Sequence, residues 1–172
     1  QILFGSDRLL LSNGLILDPS SGKVTGRFPD EFAFRQFGRD HSGYLYYTSR
    51  RRILRIRPQD PGHHPEVMAD SCDGYSIVTI RDTLWFGTSR GIARLNGDRL
   101  EWVDPGNRGM SGPIQSLCRD DVGKIWVGTP FQLYRLDPEK NKIDSFPQLT
   151  NRDIRALENI RGNIYIGTYG DG

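Results

Sequence analysis

The chain has 172 residues and a formal net charge of +2, with 26% charged and 36% hydrophobic residues. This composition is ordinary for a globular fold, and so small a positive balance excludes nucleic-acid binding driven by bulk charge. No apolar run exceeds four residues; runs such as 9–11 and 15–17 fall far short of the roughly 20 residues of a membrane-crossing helix, so no membrane segment is expected.

Gln1 leads directly into a strand-like run that does not read as a secretory leader. The segment Ile2-Leu3-Phe4-Gly5-Ser6-Asp7-Arg8-Leu9 matches residues 77–84, and Gly14-Leu15-Ile16-Leu17-Asp18-Pro19 matches a strand of later copies. A first, divergent repeat is therefore predicted over about 1–30. The second, about 31–69, carries Leu45-Tyr46-Tyr47-Thr48-Ser49 and then Ile53-Leu54-Arg55-Ile56. The third, about 70–104, carries Leu84-Trp85-Phe86-Gly87-Thr88 and Gly91-Ile92-Ala93-Arg94-Leu95. The fourth, about 112–147, carries Ile125-Trp126-Val127-Gly128-Thr129 and Leu133-Tyr134-Arg135-Leu136-Asp137-Pro138. Ile164-Tyr165-Ile166-Gly167-Thr168 belongs to a partial fifth copy over 152–172. The aromatics Tyr46, Trp85, Trp126 and Tyr165 are spaced by 39, 41 and 39 residues.

Each repeat reads as four short strands joined by turns. In the fourth copy the strands are predicted over 114–119, 124–129, 133–137 and 143–146. The turn Asp120-Asp121-Val122-Gly123 suits an Asp that hydrogen-bonds the backbone ahead of it and a Gly that takes positive φ. No helical period is sustained for three turns. A repeat near 40 residues with four strands predicts an all-β fold, a β-propeller segment of about four and a half four-stranded blades. One blade cannot bury both of its faces, so blades stack, and the recurring aromatic is expected to fill the gap between them. A ring of six to eight such blades needs roughly 240–320 residues. The chain is therefore expected to be a fragment, completed by remaining blades or by a second copy of itself.

The run Arg119-Asp120-Asp121-Val122-Gly123-Lys124-Ile125-Trp126-Val127-Gly128-Thr129, with Leu133-Tyr134-Arg135-Leu136-Asp137 after it, resembles the two-component regulator propeller repeat. Residues 39–46 and 161–168 resemble it more weakly. Departures are a lost Gly before Thr48 and Phe131-Gln132 where the family usually has Gly. The resemblance implies the periplasmic sensor region of a Bacteroidetes-type hybrid histidine kinase, without catalysis in this segment, responding to a glycan fragment. The kinase, receiver and membrane parts lie outside this sequence.

By analogy with that fold, ligands approach the face shared by the turns between second and third strands and by the connections between blades. This face is expected to carry Arg50, Arg90, Arg108, Arg152, Asp73, Tyr75, Asn107 and Tyr169. These arginines, amides, carboxylates and rings could hydrogen-bond hydroxyls and stack on a small molecule or oligosaccharide; a merely solvated rim is the simpler reading. Of the 23 basic residues 19 are arginines, whose planar forks suit carboxylate or sulfate, although codon or lineage bias is the plainer explanation.

The dense run Arg50-Arg51-Arg52, with Arg55 and Arg57, reads as a solvated strand edge that discourages stray pairing. Strand alternation puts Arg55 and Arg57 on one side. His63-His64 reads as loop and His41 as an exposed turn residue, so no metal or cofactor is expected. Cys72 in a connection and Cys118 on an inner strand are expected to be unpaired. Gly109-Met110-Ser111-Gly112 lacks the helix of a nucleophile elbow. A protein-binding scaffold and a propeller lyase or hydrolase are the alternatives.

Overall fold

The computed structural model describes residues 2–4, 8–11, 14–27, 35–57, 64–103, 110 and 112–170, with 2–4 and 8–10 described by backbone alone. The described residues form four four-stranded antiparallel sheets and one two-stranded sheet. The first contains β1 (Ile2–Phe4), β2 (Arg8–Leu10), β3 (Leu15–Leu17) and β4 (Val24–Arg27). The second contains β5 (Gln36–Arg39), β6 (Leu45–Thr48), β7 (Arg52–Ile56) and β8 (Glu66–Asp70). The third contains β9 (Gly74–Ile80), β10 (Thr83–Thr88), β11 (Gly91–Asn96) and β12 (Arg99–Val103). The fourth contains β13 (Ser116–Arg119), β14 (Ile125–Gly128), β15 (Leu133–Asp137) and β16 (Lys142–Ser145). The last pairs β17 (Asp153–Ile160) with β18 (Asn163–Tyr169). In every sheet the strands follow chain order, as propeller blades do. The only described helical turn is a 3-10 segment, Pro147–Leu149. The fourth sheet's first strand begins at Ser116 rather than 114, and the others differ from expectation by at most a residue or so.

The chain divides into two compact units, Gln1–Gly74 and Tyr75–Gly172. In the first, Ile16 packs with Leu45, Tyr47, Leu54 and Ile56. In the second, Trp85, Ile80 and Ile92 of one blade pack with Ile125, Val127, Tyr134 and Leu136 of the next. One blade further on, Trp126 packs against Cys118, Leu133, Ile154 and Leu157. Trp85 and Trp126 thus occupy equivalent places between blades. Fully burying such a side chain stabilises the fold by about 1.5–3 kcal/mol, which is what makes a single blade depend on its neighbour. Tyr165, on the last described blade, is 57% exposed.

The recurring Gly-Thr pair has a steric cause. Ile114 N–H donates to the Thr88 carbonyl (2.9 Å), and Ile154 N–H donates to that of Thr129 (3.0 Å). These bonds tie each blade to the one before. So close an approach leaves no room at the preceding residue: a β-carbon on Gly87 would stand 2.8 Å from the Ile114 carbonyl, and one on Gly128 would stand 2.7 Å from Ile154 Cγ2. In the first unit Gly74 N–H donates in the same way to Ser49 (3.1 Å). Ser49 therefore plays the threonine's part, and the missing glycine is replaced by Thr48 itself rather than lost before it.

A second regularity runs across the sheets. Tyr46 lies opposite Arg55, and Arg55 opposite Glu66. Trp85, Arg94 and Glu101 align likewise, as do Trp126, Arg135 and Asp144. In each ladder the guanidinium pairs with the acid, at 2.8, 2.8 and 3.0 Å. Arg94 and Arg135 also lie over the rings of Trp85 and Trp126. The solvated-edge reading of Arg55 is therefore wrong. It sits on an interior strand and its side chain is 9% exposed. Arg55 and Arg57 do share one side, both lying 4.8 Å from the Tyr44 ring.

The acidic turns join the same scheme. Asp120 accepts hydrogen bonds from the N–H of Val122 and Lys124, and from Trp126 Nε1 at 3.2 Å. Asp40 accepts from Tyr44 N–H and from the Tyr46 hydroxyl. Gly43 and Gly123 close these turns with φ of +85° and +82°. Cys72 and Cys118 are unpaired and buried.

Candidate functional site

The turns between second and third strands are built alike. The Thr88 hydroxyl accepts from Arg90 N–H (3.0 Å) and donates to the Gly91 carbonyl (2.8 Å). Thr129 does the same for Phe131 and Gln132. Ser49 donates to the Arg52 carbonyl. A hydroxyl bonded to its own turn fixes the loop and presents Arg50, Arg90 and Phe131 at its tip, all three exposed.

In the first unit Arg50 stands at such a tip, next to Arg51, whose φ is +68°. Asp73 accepts from Arg51 N–H at 2.8 Å and lies 3.9 Å from the Arg35 guanidinium. This bond joins the turn to the connection leading out of the blade, confirming that the two share a face. Asp73 is thereby engaged in holding the loop.

The second unit holds Tyr75, Arg90, Arg152 and Tyr169, in two places. Arg90 lies with its guanidinium carbon 4.6 Å from the centre of the Trp102 ring. Beside it opens a groove of about 620 Å³, walled by Ile92, Trp102, Met110, Pro113 and Ile114. Gly112, with φ +84°, borders the groove, and the Phe131 ring lies so near that a β-carbon there would stand 2.9 Å from it. The size lies within the range of small-molecule sites.

At the second place Arg155 grips Asp153 through two nitrogens (2.7–3.0 Å) and lies 5.3 Å from the Tyr169 ring. The bond to Asp153 holds the Arg155 proton more firmly, and the nearby Tyr169 and Tyr75 add to it. Tyr169 is 72% exposed. Arg152 is exposed in the preceding connection. Asn107 and Arg108 lie outside the described residues, as do His63, Gly109 and Ser111. His64 and His41 are exposed. Among the described residues, no three His, Cys, Asp or Glu side chains converge as metal ligands would. Burial, with Glu158 nearby, pushes the Cys118 thiol up, so it is a poor nucleophile at neutral pH.

Two contributors were not singled out by the motif. Trp102 stands where the other fourth strands carry Arg27, Val67 and Ser145; an aromatic in place of aliphatic or polar residues was the available signal. Arg155 occupies the position of Tyr75 and Gln115 on the first strands, which only the register reveals.

Residues 109–131 match the family described as "Two component regulator propeller". One repeat of this chain, the one bordering the groove, carries that family's signature. No curated protein matches the chain significantly. The fold is similar to the extracellular domain of BT4673 from B. thetaiotaomicron, titled a one component system, with TM-score 0.78, 18% identity, and coverage of 97% of this chain and 24% of that one. It is also similar to the extracellular domain of BT3049 from the same organism, titled a hybrid two component system, with TM-score 0.75, 22% identity, and coverage of 96% and 24%. A virginiamycin B lyase from Staphylococcus aureus is similar at TM-score 0.65 and 15% identity, over 95% of this chain and 62% of that one. These likenesses establish the propeller fold. The chain spans about a quarter of the length of the two extracellular domains.

Proposed function

We propose that this chain is a non-catalytic, ligand-sensing propeller segment of an extracytoplasmic two-component sensor, facing the periplasm and responding to a glycan fragment. The observation that carries the reading is the match at residues 109–131, because Met110, Pro113 and Ile114 of that stretch wall the groove beside Arg90. The likeness in fold to two extracellular sensor domains supports it. The parent protein would be a histidine kinase, and the ring would be completed by further blades or a second copy of the chain.

Sensing by this design is differential binding. A ligand that touches loops from successive blades favours the arrangement in which those loops suit it, and membrane-proximal parts relay the preference. Calorimetric titration with neutral and acidic oligosaccharides tests the reading. Saturable binding that weakens in Arg50→Ala, Arg90→Ala or Arg152→Ala is expected. Binding indifferent to all three rejects the rim as the site.

A second reading, a protein-binding scaffold, is favoured by the exposed rings of Phe131 and Tyr169 on the same rim. It predicts capture of a protein partner that is lost in Phe131→Ser and unaffected by oligosaccharide.

A further inference from the structure

The groove beside Arg90 differs from a general sugar-binding rim in two respects. Its walls are mostly apolar, being formed by Ile92, Met110, Pro113 and Ile114. Among the described residues its one charged group is the Arg90 guanidinium. Within the same unit, Arg94 is committed to Glu101 and Arg155 to Asp153. Arg90 has no carboxylate partner among the described residues; its guanidinium carbon lies over the Trp102 ring, 4.6 Å from the centre. A contact with a ring face restrains an arginine without spending its N–H donors. That is a pre-organised fork at the lip of an apolar groove. An arginine so fixed loses little rotamer freedom when it binds an anion.

We infer that this groove binds a small organic anion: a carboxylate taken by Arg90, joined to a flat apolar body lying against the half-buried Met110 and Pro113 beside Trp102. A carboxylate accepts two parallel N–H donors from the fork, which a hydroxyl or an amide cannot do. The inference deepens the sensing reading and rests on it, narrowing the ligand from glycans in general to acidic ones or their conjugates. An aryl carboxylic acid offers the same chemistry without a sugar.

Two probe pairs separate these sources, each pair differing only in the acid. Phenyl β-glucuronide is compared with phenyl β-glucoside, and 3-phenylpropionate with 3-phenylpropanamide, by calorimetry on the full chain with Trp fluorescence as a second readout. The acid of at least one pair is expected to bind at least about tenfold more tightly than its neutral partner, since hydrogen bonds to a charged group are worth more than neutral ones. The preference should shrink as salt is added. In Arg90→Gln, which removes the charge but keeps a polar side chain at an exposed position, the preference should vanish, with the melting temperature unchanged to show that the fold persists. Preference in the glucuronide pair alone assigns an acidic saccharide; preference in both assigns the carboxylate regardless of its body. Equal binding of acid and neutral probe, a preference surviving Arg90→Gln, or no binding of any probe at millimolar concentration overturns the inference. If neutral oligosaccharides still bind in that case, the sensing reading stands without it.

Discussion

A β-carbon placed on Gly74 would stand 2.6 Å from the β-carbon of Thr48. At the two equivalent junctions the arrangement is reversed: the strand end carries Gly87 or Gly128, and the residue facing it is Ile114 or Ile154. Each junction has space for one side chain. In the first unit the side chain and the glycine have changed places, and the backbone bond from Gly74 to Ser49 is kept at 3.1 Å.

This exchange makes a double-mutant prediction. Gly74→Ala alone should cost about 1–3 kcal/mol by overpacking. Thr48→Gly alone should cost about 1 kcal/mol or more, through lost packing and a looser strand. The double variant should be more stable than the sum of the two, with a coupling of at least about 0.5 kcal/mol. Denaturant titration of the four proteins measures it. Strict additivity would mean that the two positions do not compete for the same space.

Gly128→Ala should behave differently. Its β-carbon would meet the Ser116 hydroxyl oxygen and stand 2.9 Å from the Ile154 carbonyl, the second a backbone atom that no side-chain change removes. A loss of about 2–3 kcal/mol is expected, and it should persist when measured in an Ile154→Ala background, which lacks Cγ2. Disappearance of the loss in that background would show that the Ile154 side chain, and not the blade-to-blade backbone approach, sets the limit.

The repeat was legible because burial is periodic: Trp85 and Trp126 recur 41 residues apart and each fills the gap to the following blade. The Arg of each third strand was visible in the motif, but its role was not. Arg55 reads as part of a basic run in one dimension and becomes the centre of a ladder only when Tyr46 and Glu66 are brought beside it by register. The Thr48–Gly74 exchange was hidden for a related reason. Aligning one blade with another compares equivalent positions, whereas the compensation lies between non-equivalent ones. Of the candidate site, Arg90 was identified from its place in a turn, while its support, Trp102, lies 12 residues away on a strand whose facing the repeat leaves open.

The ladders predict which ion pairs matter. Arg55 is nearly buried, with Glu66 at 2.8 Å in a two-nitrogen grip. Glu66→Gln leaves that guanidinium without its charge partner and should cost about 1–2 kcal/mol, the half-exposed carboxylate keeping the loss below that of a fully buried pair. Arg81 pairs with Glu139 where both side chains are more than half exposed (69% and 60%). Glu139→Gln should therefore change stability by no more than about 0.5 kcal/mol. Thermal melts of the two variants decide the matter, and equal effects would show that the ladder acid is ordinary surface charge.

Tyr46 supplies a prediction for alkaline pH. Its ring is fully buried, and burial pushes its phenol up to about 12 from 10.0, with the charge of Asp40 adding to the rise against the opposing Arg55. Below pH 10 the phenol is neutral in both folded and unfolded chains, and its contribution to stability is fully present. Between pH 10 and about 12 the unfolded chain loses the proton while the folded chain keeps it, so that stability drains away as pH rises through this window. Stability measured by denaturant at pH 9, 10 and 11 should fall more steeply in the wild type than in Tyr46→Phe. The variant starts lower at pH 9, having lost the hydrogen bond to Asp40 (3.1 Å). Parallel slopes for the two proteins would mean that Tyr46 ionises as readily in the fold as outside it, and that burial beside Asp40 does not hold its proton.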